Sequence, residues 1–176
     1  MIIQFCGLSG SGKTTLANAV KTQLIEHKIP VEVIDGDEYR KVLCADLGFS
    51  KEDRNQNIRR LAFVAGKLSQ YNIVTIICAI NPYEAIRQEI VSIYKQVKTV
   101  HIDCDLPTLF IRDTKGLYTK ASLPDDHPEK IHNLTGVNDP FEMPVSADLT
   151  IRTDMESVQE STQKLLELIL SNYKRS

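Results

Sequence analysis

Short apolar, β-branched runs alternate with segments of helical periodicity along the chain, and this alternation restricts the fold more than any other feature. MIIQFC comes first, with a helix predicted to about His27. VEVID follows, with helices to about Tyr71. IVTIICAI precedes a short helix, TVHIDCD precedes another helix and an irregular region, and DLTIR precedes a last helix. Strands that are apolar at nearly every position are buried on both faces, which requires a mostly parallel sheet with helices packed on each side. The expected fold class is therefore α/β, doubly wound. At 176 residues the chain has the size of one domain, and a single domain over 1–176 is predicted.

Ser50 with Asp53, and Thr153 with Glu156, have the spacing of capping pairs, so helices are predicted to start behind Ser50 and Thr153. Behind them, Ile58, Leu61, Ala62, Ala65 and Leu68 recur at helical spacing, as do Val158, Leu165, Leu166 and Ile169 with Thr162 between. Both sets are predicted core stripes. The segment 114–144 is different. It lacks sustained periodicity and carries Pro124, Pro128, Pro140 and Pro144 together with Lys115, Lys120 and Lys130. An irregular stretch of that length inside a compact domain reads as a lid.

Composition excludes several classes of partner. With 42% hydrophobic residues, 25% charged and a net charge of −2, the chain has no bulk attraction for nucleic acid or an anionic membrane. The apolar run Ile73 to Ile80 falls far short of the roughly 20 residues of a spanning helix. No signal-peptide core precedes the first motif, so export is not expected. Cys6, Cys44, Cys78 and Cys104 form no C-x-x-C pair and no metal-ligand spacing, and read as small buried hydrophobes of a reducing, cytoplasmic compartment.

GLSGSGKT, Gly7 to Thr14, fits G-x-x-x-x-G-K-[ST] in full, directly after the first apolar run and before an amphipathic stretch with Leu16, Ala17, Val20 and Leu24. In such a loop the backbone N–H groups wrap nucleotide phosphates at the positive end of a helix dipole. Gly7, Gly10 and Gly12 let the backbone approach, and Ser9, Ser11 and Thr15 complete the cradle. Lys13 reaches the β- and γ-phosphates, and the Thr14 hydroxyl ligates Mg²⁺. The pattern specifies a nucleoside triphosphate and leaves the reaction open.

The second strand runs into VIDGDEYR, which places Asp35 and Asp37 at the carboxyl edge of the sheet, where open α/β folds bind ligands. A carboxylate there can accept a proton from an attacking hydroxyl or hold Mg²⁺ through water. Either aspartate can instead cap the next helix, and with two present both roles can be filled. In LGFSKEDRNQNIRR, Arg54 and Asn57 share a helix face at i, i+3, which suits joint contact with one anionic ligand, while Arg59 and Arg60 read as solvated charges. Phe49 beside these arginines points to a nucleotide-like acceptor. Asn81-Pro82 reads as a turn after a buried strand.

GLSGSGKTT at 7–15, DGDEYR at 35–40, LGFSKEDRNQNIRR at 47–60, INPYEAIRQE at 80–89, RDTKGLYTKA at 112–121 and LTGVNDPFE at 134–142 resemble, in order and over nearly the whole chain, the motifs of the adenylyl-sulfate kinases (APS kinases). The resemblance implies a P-loop nucleoside triphosphate hydrolase fold. It also implies transfer of the γ-phosphoryl of MgATP to the ribose 3′-hydroxyl of adenylyl sulfate, giving 3′-phosphoadenylyl sulfate and ADP. By matched position, Asp37 resembles the carboxylate near the acceptor hydroxyl, with Lys13 as the other catalytic group. Arg40, Arg54 and Asn57 resemble the residues holding the phosphosulfate and sugar. Phe49 is similar to the aromatic that stacks on the acceptor adenine. Lys115 resembles a lid residue reaching the acceptor, and Arg112 lies where the family packs the ATP base. Ile80 and Asn81 coincide with positions lining the acceptor pocket.

Two positions depart from the family pattern. Leu134 stands where Phe commonly forms the other side of the adenine clamp. Asn81 stands where the family commonly has a serine proposed as a phosphoryl carrier, so transfer here is expected to be direct and in line. These departures keep two alternatives open: a kinase of the same family acting on another nucleotide such as a cytidine diphosphate derivative, and a non-catalytic nucleotide-binding regulatory protein. Retention of Lys13, Thr14, Asp37 and Arg54 argues against the second. A homodimer and a functional link to a sulfate adenylyltransferase are both compatible with the resemblance.

Overall fold

The computed structural model describes residues 1–173. Strands β1 (Ile2–Cys6), β2 (Val31–Asp35), β3 (Val74–Cys78), β4 (Val97–Asp103) and β5 (Leu149–Arg152) form one sheet in the order β2-β3-β1-β4-β5. All four pairings are parallel. This is the predicted doubly wound sheet. The order reverses at β1, between β3 and β4, and the carboxyl ends around that switch point form the crevice where ligands bind in such folds.

Side-chain alternation divides the core into two layers. Ile3 and Phe5 of β1 and Ile76 of β3 pack on helices α1 (Lys13–Glu26) and α7 (Val158–Asn172) through Leu16, Val20, Leu24, Leu165 and Ile169. Ile2 and Ile77 face the opposite way, against Ile58, Leu61 and Ala65 of α3 (Lys51–Ser69) and Ile86 and Ile90 of α4 (Glu84–Ile93). All four cysteines are free and buried, as the small-hydrophobe reading expects.

Ser50 caps α3 as predicted, its side chain accepting from the Asp53 N–H. The predicted start behind Thr153 is displaced. Helix α7 is capped by Ser157, which forms a reciprocal capping box with Glu160. Thr153 instead donates its hydroxyl to the Ser11 carbonyl at 2.8 Å, and Glu156 accepts from the Arg152 N–H. The two candidate boxes lie four residues apart, and the first is used to tie the β5–α7 turn to the glycine loop. Val158 accordingly leaves the core stripe: at the first turn of α7 it is 54% exposed, whereas Leu165 and Ile169 are fully buried.

Segment 114–144 is not structureless throughout. Helix α6 (Leu117–Ala121) contributes Tyr118 and Ala121 to a third apolar cluster with Leu134, Cys104 and Leu109 of α5 (Leu106–Arg112). The buried Tyr118 hydroxyl donates to the Ser9 carbonyl at 2.7 Å, so this segment lies down on the glycine loop.

Gly66, in mid-α3, is explained by packing. A Cβ there would lie 2.3 Å from Cε1 of Tyr94, whose ring fills the space beside the helix. Gly66→Ala is therefore expected to lower stability by roughly 1–3 kcal/mol through overpacking, outweighing alanine's better helix propensity. Denaturant unfolding should show the loss as a lower midpoint at unchanged slope.

Candidate active site

The glycine loop begins where β1 ends. The Gly7 N–H donates to the Ile80 carbonyl at 3.0 Å, and a Cβ on Gly7 would lie 2.3 Å from the Ile102 carbonyl oxygen, so only glycine fits there. Gly12 takes a left-handed conformation (φ 93) at the start of α1, turning the loop into the helix. Lys13 is buried. Its Nζ donates to the carbonyls of Leu8 at 2.6 Å and Gly7 at 3.0 Å. Burial pulls its pKa down to about 8, because the surroundings solvate the ammonium poorly.

The two aspartates divide the roles that the sequence leaves open between them. One oxygen of Asp35 caps α2 (Gly36–Arg40), accepting from the Asp37 N–H at 2.9 Å, while the other accepts from the Thr14 hydroxyl at 3.0 Å. Asp37 makes no cap. It projects into solvent and pairs with Lys115 across the cleft. That ion pair bridges the 114–144 segment and the carboxyl edge of β2.

Behind Asp37, the Arg40 guanidinium lies 4.4 Å and that of Arg54 5.6 Å from the centroid of the half-exposed Phe49 ring. Arg40 also donates to the Gly48 carbonyl at 2.7 Å. Arg54 is buried; it donates to the Asn133 carbonyl at 2.7 Å and lies 3.3 Å from Asp139. Asn57 sits one turn along on the same face, also buried. Arg59 and Arg60 point away, paired with Glu89 and Asp46 at the surface, as expected for solvated charges.

At the end of β3, Asn81 is 1% exposed and left-handed (φ 47), a conformation asparagine tolerates better than most non-glycine residues. Its amide donates to Gln4 Oε1 at 3.3 Å, and Arg87 donates to its carbonyl at 2.7 Å. Gln4 interrupts the first apolar run yet is fully buried, bonded also to the Thr99 hydroxyl and the Arg87 carbonyl. Asn57 Oδ1, Asn81 Oδ1 and Thr135 Oγ1 are buried without a hydrogen-bond partner among the described residues. Such groups concentrate where a ligand or water completes the bonding.

These parts meet in one cleft of about 930 Å³. Its wall includes Ser9, Gly10, Gly12, Lys13, Thr14 and Thr15 from the loop, with Arg112 at the same end. Asp37, Arg40, Phe49, Arg54, Asn57, Ile80, Asn81, Lys115 and Leu134 line the remainder. Gly7 and Ser11, which belong to the same loop, are buried and do not line the cleft. Leu134 also belongs to the buried cluster under α6. Arg112 donates to the Thr153 carbonyl at 2.7 Å, fixing the β5–α7 turn beside the loop. Thr153 and Thr135 also line the cleft, and the sequence gives neither a ligand-binding role. The displaced capping box hides the first, and nothing in the local pattern marks the second.

Residues 1–152 match the family described as adenylylsulphate kinase. The chain belongs to that family. The adenylyl-sulfate kinase of Halothermothrix orenii is 44% identical over 95% of this chain and 88% of its own length. A protein of Sorangium cellulosum named "Probable bifunctional SAT/APS kinase 2" is 42% identical over 94% of this chain, which spans 28% of that longer protein. Among solved structures, the Mycobacterium tuberculosis APS kinase in complex with AMPPNP and APS superposes with a TM-score of 0.86 at 35% identity, covering 96% of each chain. As an adenylylsulphate kinase family member, the chain has the P-loop fold that its sheet order displays. No described helix is long and apolar enough to cross a membrane.

Proposed function

We propose that the protein is an adenylyl-sulfate kinase, transferring the γ-phosphoryl of MgATP to the ribose 3′-hydroxyl of adenylyl sulfate to release 3′-phosphoadenylyl sulfate and ADP. The observation that carries the reading is one cleft lined both by Lys13 and Thr14 of the glycine loop and by Asp37, Phe49, Arg54 and Asn57. A triphosphate donor and an anionic nucleotide acceptor both find complementary groups there.

In this reading the glycine-loop N–H groups hold the triphosphate, and the Lys13 ammonium exchanges its carbonyl partners for phosphate oxygens. Arg112 packs on the ATP base. The Thr14 hydroxyl and Asp35 carboxylate form a hard-oxygen donor pair, which suits Mg²⁺, a cation commonly bound by one or two protein oxygens plus substrate phosphates. When bound, Mg²⁺ neutralises phosphate charge. Arg40, Arg54 and Asn57 bind the phosphosulfate and sugar, Phe49 stacks on the base, and Ile80, Asn81 and Leu134 complete the acceptor wall. Asp37 releases Lys115 and accepts the proton of the 3′-hydroxyl as its oxygen attacks the γ-phosphorus and the bond to the ADP oxygen breaks. Asn81 offers no nucleophilic oxygen, so attack is direct and in line.

Segment 114–144 acts as the lid of a single domain, excluding water so that ATP is not hydrolysed futilely. The reducing cytoplasm is the compartment favoured by four free buried thiols. The Sorangium relative's name supports a functional link to the enzyme that makes adenylyl sulfate. An acceptor panel tests the reading: adenylyl sulfate should exceed cytidine diphosphate derivatives by a wide margin in kcat/KM. Preference for a pyrimidine nucleotide would reject it.

A further inference from the structure

Arg87 is the largest fully buried side chain among the described residues, and the proposed reaction gives it no direct part. Its guanidinium joins three pieces of chain. Nε donates to Glu84 Oε2 at 2.9 Å within α4, Nη1 donates to the Asn81 carbonyl at 2.7 Å, and Nη2 donates to the Glu142 carbonyl at 2.6 Å. A buried cation is retained only when its charge and its donors are satisfied, and this fork is the geometry that a lysine cannot reproduce.

The two carbonyls belong to functionally different segments. Asn81 is the cleft wall, held left-handed, and the Ile80 carbonyl before it accepts from the first glycine of the phosphate loop. Glu142 stands at the carboxyl end of the 114–144 segment. Its N–H donates to the Pro82 carbonyl at 2.8 Å, and its carboxylate accepts from the Glu84 N–H at 2.7 Å. Phe141, just before it, stacks on His101 and lies beneath the Arg87 guanidinium.

We propose that Arg87 is a positioning residue that couples the lid to the acceptor wall: through its fork on the Asn81 and Glu142 carbonyls, it fixes the lid's carboxyl-terminal anchor and the Asn81 backbone as one unit. This rests on the kinase reading above. Lid closure over 114–134 then takes place against an anchor continuous with the acceptor pocket, so losing the fork weakens acceptor capture more than ATP binding.

The test uses the full chain with Arg87→Lys and Glu142→Ala. The first keeps the charge but loses the fork. The second leaves the Glu142 carbonyl and the fork in place and removes the carboxylate that ties the same anchor to the Glu84 N–H, so it loosens the anchor from its other side. Each is expected to raise KM for adenylyl sulfate by about tenfold while KM for MgATP stays within about twofold. Each should also reduce the protease protection of 114–134 that AMPPNP and adenylyl sulfate together confer. A merely structural role would lower Tm and affect both substrates alike, and that result, or unchanged KM and protection, would overturn the proposal. If Arg87→Lys does not fold, Arg87→Gln, whose amide can reach at most one of the two carbonyls, decides by the same criteria. Wild-type protein that makes no product from adenylyl sulfate would refute the kinase reading instead, and the protease assay, which needs no turnover, would still report on the coupling.

Discussion

Asp37→Asn is expected to lower kcat by roughly 10²–10⁴ while ATP binding is retained, the range for removing a general base from a transition state. Asparagine keeps the size of the side chain and cannot take the hydroxyl proton. The substitution also breaks the pair with Lys115, but both partners are more than half exposed, and ion pairs of that kind contribute little to stability. An unchanged Tm with a collapsed kcat therefore separates chemistry from folding. Asp35 is the control for location: because it caps α2 and meets Thr14, Asp35→Asn should weaken Mg²⁺-dependent ATP binding rather than leave it intact. Turnover in Asp37→Asn equal to wild type would remove Asp37 from the base role.

Lys13→Met is expected to lower kcat by roughly 10²–10³ or more, the penalty for deleting one preorganised charge from a transition state that spreads charge over phosphoryl oxygens. Its effect on the ligand-free protein should run the other way. Burial lowers the folded-state pKa to about 8 from the ordinary value of 10.5, so the unfolded chain binds the extra proton between those values. Stability due to Lys13 thus rises with pH across that window, and the penalty is full below about pH 8. Ligand-free Lys13→Met should match or exceed wild-type stability at pH 7, and the difference should move in favour of wild type as pH approaches 10.5. ATP should raise the wild-type Tm and leave the variant's nearly unchanged.

The strand and helix layout was legible because buried parallel strands print continuous apolar runs, and the glycine loop was legible because its spacing is fixed by phosphate geometry. Ser50 was readable as a cap for the same local reason. Contacts set by chain segments far apart in sequence were not legible. Nothing around Thr153 reports that its hydroxyl is claimed by Ser11, 142 residues away, so the capping box was placed one turn early. Gln4 looks like a polar lapse in a strand until Asn81, Thr99 and the Arg87 carbonyl surround it. Nothing in the sequence around Arg87 reports that its guanidinium is buried against the carbonyls of Asn81 and Glu142. The Asp35 and Asp37 alternatives could be separated only by seeing which carboxylate faces the helix N-terminus and which faces Lys115.

The most direct measurement incubates the purified protein with MgATP and adenylyl sulfate and identifies the product by tandem mass spectrometry. The account predicts ADP and a nucleotide carrying one additional phosphoryl group, located by fragmentation on the ribose 3′-hydroxyl with the phosphosulfate intact. ATP consumption with no phosphorylated acceptor, or phosphate placed on a different nucleotide in a mixed panel, would contradict it.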